Sequence, residues 1–132
     1  MIIENVVIID DDEDIRLILA ATLGALTQWN ITEIADPRDA SAAIASIAPE
    51  VLILDWMMPH ISGVELFDQL SRENALDETT VIFMTAKVQI SDRTLIESLG
   101  AHLIEKPFDP MTIPAQVRKI TGAGHGDQIN AK

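Results

Sequence analysis

The chain has 132 residues, no cysteine and a formal net charge of −12. This length fits one domain, and a hydrophobic fraction of 48% is enough to fill its core. The negative charge argues against direct binding to nucleic acid, because phosphate backbones repel an acidic surface, and the lack of cysteine excludes disulfides and thiol catalysis. Since no apolar run approaches the roughly 20 residues of a membrane helix and no secretory signal is recognisable, we expect a cytoplasmic protein without membrane insertion.

Apolar runs alternate with helical patterns along the chain. In chain order the patterns predict strand 3–9, helix 15–26, strand 31–35, helix 37–47, strand 51–54, helix 64–70, strand 80–84, helix 90–99, strand 101–104 and helix 110–120. Five successive strand–helix units predict an α/β fold, with a parallel sheet covered by helices on both faces. Residues 121–132 are Gly-rich and polar, and we expect a disordered C-terminal tail there.

The chemically versatile side chains lie where the predicted strands end. The carboxyl ends of parallel strands share one edge of a sheet, and ligands of open α/β sheets bind at that edge. We therefore expect three or four carboxylates, one hydroxyl and one ammonium group to converge there, drawn from Asp10, Asp11, Asp12, Asp55, Thr85, Glu105 and Lys106.

This combination of groups favours phosphoryl chemistry. Clustered carboxylates repel one another unless a cation neutralises them, and oxygen ligands of this kind suit Mg²⁺. A lysine and a threonine suit phosphoryl oxygens, the first as a charge and the second as a hydroxyl donor. An aspartate can act as the nucleophile and form an aspartyl phosphate, so the residues predict a phosphoryl-transfer site.

Four short segments stand out near the ends of the predicted strands: Ile8-Ile9-Asp10-Asp11, Asp55-Trp56-Met57-Met58-Pro59 with Gly63, Met84-Thr85-Ala86 and Lys106-Pro107-Phe108. Together they resemble the signature segments of response-regulator receiver domains of two-component signal transduction. The resemblance covers about residues 3–120, so we expect a single receiver domain over residues 1–120. It implies a CheY-like, flavodoxin-like (βα)5 fold, a doubly wound sheet of five parallel strands in the order 2-1-3-4-5. The four segments occur in the order and spacing of the family, which makes the set more specific than any one of them.

The resemblance assigns roles to the acidic residues. Asp55 would be the phosphoacceptor. Asp10 and Asp11 would hold Mg²⁺, joined by Asp55 and by the backbone carbonyl of Met57. These four residues form the expected metal and acceptor centre.

The remaining site residues follow in the same way. Thr85 and Lys106 would bind the phosphoryl oxygens, and the Lys106–Pro107 peptide bond would be cis, an isomer found mainly before proline. Two departures from the family are visible. Leu103 occupies the place of a frequent aromatic switch residue, and the segment from Gly100 to Lys106 is one residue shorter than usual.

The expected function is that of a phosphorylated signalling switch rather than a turnover enzyme. The domain would take its phosphoryl group from a sensor histidine kinase or a histidine phosphotransfer protein, catalysing its own phosphorylation and dephosphorylation. Phosphorylation would then change contacts with a downstream target protein, or pass the phosphate on. The expected target surface is built around helices 90–99 and 110–120.

Other interpretations were weighed against this one. Asp12, Glu13 and Asp14 are expected to be a solvated and helix-capping acidic run, and the methionines are expected to fill the core. A phosphatase of the haloacid-dehalogenase type would need a second aspartate two positions after Asp55, where Met57 stands. A histidine phosphotransfer protein would need a helical bundle. A receiver-like binding module that takes no phosphate is the main alternative, and the presence of all five site residues argues against it.

Overall fold

Short apolar segments rich in valine and isoleucine form the strands of one parallel sheet. The computed structural model describes residues 2–86 and 89–122. The sheet has five strands in the order β2-β1-β3-β4-β5, and every neighbouring pair is parallel. This confirms the predicted fold class and strand order. The strands are β1 Asn5–Ile9, β2 Asn30–Ile34, β3 Val51–Asp55, β4 Thr80–Thr85 and β5 His102–Glu105.

Helices connect the strands and cover both faces of the sheet. Prolines open two short 3-10 turns, at Pro37–Asp39 before α2 and at Pro110–Thr112 before α5, and an aspartate caps each turn. The predicted helices 37–47 and 110–120 are therefore each a 3-10 turn followed by an α-helix. The α-helices are α1 Glu13–Leu26, α2 Ala40–Ile47, α3 Gly63–Arg72, α4 Ile90–Ser98 and α5 Ile113–Thr121.

Successive strand residues point to opposite faces, which divides the core into two layers. Ile8 and Ile53 contribute to the layer beneath α1 and α5. Ile9 and Leu54 contribute to the layer beneath α2, α3 and α4. Because both faces are covered, the central strands are buried along almost their whole length, as the uninterrupted apolar runs predicted.

Some expectations need correction or fall outside the described residues. Met57 and Met111 are 70% and 65% exposed, so methionine is not confined to the core as predicted. Helix α5 includes Thr121, one residue inside the predicted tail, and residues 123–132 lie outside the described part of the chain. Among the described helices, none has the length and apolar character needed to cross a membrane.

Candidate functional site

Three carboxylates meet at the carboxyl edge of the sheet. Asp10 follows β1 and Asp55 ends β3, and both are buried, with 2% and 6% of their surface exposed. Asp11 is exposed beside them. One carboxylate oxygen from each of these three residues lies within 4.8 Å of the others, a spacing at which one cation could contact all three. Thr85 ends β4 at the same edge and is also buried.

Lys106 joins two of these carboxylates. Its Nζ atom lies 3.3 Å from Asp10 Oδ2 and 3.3 Å from Asp55 Oδ1. Its backbone N–H donates to the carbonyl of Thr85 at 2.8 Å, which aligns the end of β5 with the end of β4. The Lys106–Pro107 peptide bond is cis, as the family resemblance implied. The ammonium group thus neutralises one of the three negative charges and leaves two.

The electrostatic balance of the centre is visible in the pKa of Asp55. This pKa is raised from 3.8 to about 7, chiefly by burial and next by the neighbouring charge of Asp10. Lys106 and the backbone N–H of Met57 act in the opposite direction, and do not offset burial. Asp55 therefore lies in surroundings that do not stabilise its ionised form at neutral pH, and an added cation would favour ionisation.

The loop between β3 and α3 is folded tightly behind Asp55. The N–H of Trp56 donates to the carbonyl of Met84 at 2.9 Å, and the N–H of Gly63 donates to the carbonyl of Trp56 at 2.9 Å. A Cβ atom on Gly63 would lie 2.2 Å from the Asp55 carbonyl oxygen, so only glycine fits. This close approach fixes the main chain that carries Asp55.

The turn between β1 and α1 orients the paired acids. The N–H of Asp12 donates to Asp10 Oδ1 at 2.9 Å, while the Asp12 carboxylate caps α1. Nη1 of Arg16 donates to the carbonyl of Asp10 at 2.8 Å. Sequence analysis missed Arg16. A signal was present, since a basic residue in the first turn of a helix opposes the helix dipole and so needs another reason to be there.

Two of the acids considered at this edge do not join the carboxylate cluster. The Asp12 side chain is engaged by α1, as expected for a capping residue. Glu105 is turned away from the cluster and pairs with Arg93 of α4. Among the described residues, the cluster therefore consists of Asp10, Asp11 and Asp55, and no fourth carboxylate joins it.

A groove of about 750 Å³ lies beside Asp11. One wall follows β2 and contains Asp36 and Arg38, and the other is the loop after β3 with His60 and Ile61. Because Asp11 lines this groove, a small molecule entering it would reach the edge of the carboxylate cluster.

Known sequences are similar to this chain over most of its length. Residues 6–118 match the model of the response regulator receiver domain family. The phosphate regulon transcriptional regulatory protein PhoB of Pseudomonas aeruginosa is 30% identical over 131 residues, which cover 96% of this chain and 57% of PhoB. The alkaline phosphatase synthesis transcriptional regulatory protein PhoP of Bacillus subtilis is 27% identical over 118 residues, covering 89% of this chain and 48% of PhoP. The chain spans about half the length of these curated relatives.

Solved structures share the fold. The chemotaxis protein CheY4 of Vibrio cholerae superposes with a TM-score of 0.81 at 24% identity, covering 89% of this chain and 98% of that protein. The receiver domain of the Francisella response regulator 1452 gives a TM-score of 0.79 at 23% identity, with coverage of 90% and 97%.

Proposed function

The chain belongs to the response regulator receiver domain family, and from that premise we propose that it accepts a phosphoryl group on Asp55 with the help of Mg²⁺. The observation that carries the proposal is the buried Asp10–Lys106–Asp55 arrangement with Asp11 beside it. It combines a nucleophilic carboxylate, a fixed ammonium group and two further acids in one place. Phosphoryl transfer depends mainly on positioning and charge neutralisation, and these groups supply both.

The donor set fits Mg²⁺. Asp10, Asp11 and Asp55 offer only oxygen atoms, which this hard cation prefers, and the backbone carbonyl of Met57 is the fourth proposed ligand. With Lys106 counted, the cluster carries two uncompensated negative charges, the charge of one divalent cation. Once bound, the cation would neutralise the carboxylates and the incoming phosphoryl oxygens.

The side chains of the site have different roles in the proposed transfer. A carboxylate oxygen of Asp55 attacks the phosphorus atom of a phosphohistidine. The new P–O bond forms as the P–N bond breaks, and the imidazole ring, already protonated on its other nitrogen, takes the electron pair of the P–N bond and departs as neutral imidazole. Lys106 already contacts Asp55 Oδ1, so its ammonium group can pair with a phosphoryl oxygen. The hydroxyl group of Thr85, at the end of the neighbouring strand β4, is the second proposed contact.

The proposed partners follow from this chemistry. The donor is a sensor histidine kinase or a histidine phosphotransfer protein, and the receptor of the signal is a downstream target protein. The chain acts as a switch that catalyses its own phosphorylation and dephosphorylation. Phosphorylation shifts an equilibrium between two conformations through the loops around the site.

Intact-mass spectrometry after incubation with Mg²⁺ and acetyl phosphate or phosphoramidate tests the proposal. We expect the wild-type chain to gain one phosphoryl group, and expect no gain after Asp55→Asn or with EDTA. Asp77→Asn is the matched control, because Asp77 is exposed and precedes β4 at the opposite edge of the sheet. Retained phosphorylation of Asp55→Asn, or no gain by wild type from either donor, would overturn the proposal.

A further inference from the structure

Arg16 occupies a position that its charge alone does not favour. It is the fourth residue of α1, and only 12% of its side chain is exposed. A cation at a helix N-terminus is opposed by the helix dipole, and a buried charge loses its hydration. Specific contacts must therefore compensate for its placement.

Two contacts do so, on two different elements. Nη1 of Arg16 donates to the backbone carbonyl of Asp10 at 2.8 Å. Nε of Arg16 lies 3.4 Å from Glu33 Oε1 on β2, and that glutamate side chain is 35% exposed. The planar guanidinium group makes the two contacts from two different nitrogen atoms held at a fixed separation, which the single nitrogen of a lysine ammonium lacks. Arg16 therefore connects the main chain at the end of β1 to the side chain of Glu33 on β2.

The hydrogen bond from Arg16 acts on Asp10, which is one of the proposed metal ligands. Asp10 is held at three points: its carbonyl by Arg16, its Oδ1 by the N–H of Asp12, and its Oδ2 by Lys106. The side-chain bonds aim the carboxylate, while the bond from Arg16 fixes the main chain. Since Asp11 is the next residue, the same bond also constrains the main chain from which its carboxylate extends.

We propose that Arg16 is a positioning residue, which holds the Asp10–Asp11 turn so that both carboxylates are preorganised for a divalent cation. The inference rests on the proposed magnesium-dependent function of the site. It predicts an effect opposite to that of charge alone. A fixed positive charge repels Mg²⁺, so its removal would tighten binding if charge were its only role. Loss of positioning would weaken binding.

Mg²⁺ titration of the full chain, followed by Trp56 fluorescence and calorimetry, separates these effects. We expect Arg16→Gln to raise the Kd for Mg²⁺ by about tenfold, and expect Arg16→Lys to lie between Arg16→Gln and wild type. Arg72→Gln is the matched control, because it removes the same charge from an exposed site on α3 where Arg72 pairs with Asp68. Its Kd should equal that of wild type.

Phosphorylation by acetyl phosphate across a Mg²⁺ series gives a second, independent measurement. For Arg16→Gln we expect the Mg²⁺ concentration at half-maximal rate to rise, with the rate at saturating Mg²⁺ kept within about twofold. Tighter or unchanged Mg²⁺ binding by Arg16→Gln would overturn the inference, as would a lower saturating rate at an unchanged Mg²⁺ requirement. Because Mg²⁺ binding is measured without a phosphodonor, the inference can be judged even if wild type takes no phosphate.

Discussion

Asp36 and Asp55 both lie at the carboxyl edge of the sheet and both contact a cation, yet their pKa values move in opposite directions. Asp36 is bound by Arg38 through bonds of 2.7 to 3.1 Å, and this hydrogen bonding lowers its pKa to about 2. Asp55 contacts Lys106 at 3.3 Å, and its pKa is raised to about 7.

The difference shows that a neighbouring cation does not by itself decide whether a carboxylate is protonated. Asp36 keeps its hydration, and Arg38 adds a favourable interaction. Asp55 loses hydration, and the negative charge of Asp10 lies close by, so one shared ammonium group is insufficient. In the exposed Asp36–Arg38 pair, one negative charge is balanced by one positive charge. The buried cluster is short of positive charge, which is what a site for a divalent cation and a phosphoryl group requires.

Replacing Lys106 and Arg38 in turn should give the largest difference in the free energy of unfolding between the two sites. In EDTA at about pH 8, Lys106→Met leaves Asp10 and Asp55 buried without a counter-charge, and we expect a loss of about 4 kcal/mol in the free energy of unfolding. Arg38→Met should leave the free energy of unfolding unchanged within error, because its side chain is 89% exposed. Urea denaturation measures both. Equal effects of the two substitutions would show that burial does not distinguish the pairs.

A substitution at Gly63, which packs against the main chain of Asp55, should have the next largest effect on the free energy of unfolding. Gly63→Ala would bring a Cβ atom to 2.2 Å from the Asp55 carbonyl and 3.0 Å from the Trp56 Cα atom, and both are main-chain atoms that cannot move aside. We expect a loss of about 3 kcal/mol and weaker Mg²⁺ binding. Gly24→Ala in α1 is the control, because nothing lies within 4 Å of its Cβ position. It should stabilise the protein by about 0.5–1 kcal/mol. A fully stable Gly63→Ala variant with normal Mg²⁺ binding would contradict the close approach.

The fold could be predicted from sequence because its signals are local. Apolar runs such as residues 51–54 identify the strands, apolar residues at helical spacing identify the helices, and the strand ends show which acids meet. The strand order required the family resemblance as well, since alternation alone fixes only a parallel sheet.

Side-chain direction and burial could not be predicted in this way. Glu105 follows the same rule of strand ends as Asp55, yet it pairs with Arg93 because that arginine lies over the edge strand β5. Arg16 reaches back over the start of α1 to a carbonyl, a contact that no residue pattern encodes. The raised pKa of Asp55 depends on how much water the neighbouring elements exclude, which is a property of the assembled site.

The stability of the metal-free protein should depend on pH through Asp55. The native pKa of about 7 lies above the ordinary aspartate value of 3.8, so folding favours the protonated form. The stabilisation is complete below about pH 4 and is lost as the pH rises towards 7. Asp55→Asn removes this dependence.

In EDTA at about pH 8 we expect Asp55→Asn to be more stable than wild type by about 1.5 kcal/mol, because Lys106 then keeps only one carboxylate partner and part of the gain is offset. Near pH 4 the two proteins should be equally stable. Thermal unfolding across this pH range measures the difference, and added Mg²⁺ should reduce it. A wild type that stays as stable as Asp55→Asn at every pH would show that Asp55 is not destabilised by burial.

The smallest effect should come from Asp36→Asn, and it should have the opposite pH dependence. The native pKa of about 2 lies below the ordinary aspartate value of 3.8, so any contribution of the pair to stability is present above about pH 4 and disappears as the pH falls towards 2. About 1 M NaCl should also remove it, since salt screens exposed charges.

Carboxyl NMR titration compares the pKa values of Asp36 and Asp55 in one sample. We expect midpoints near 2 for Asp36 and near 7 for Asp55 in EDTA. Added Mg²⁺ should lower only the second, because only Asp55 lies in the carboxylate cluster. A shift of both midpoints by Mg²⁺ would show that the cation acts on the whole edge of the sheet rather than at the buried centre.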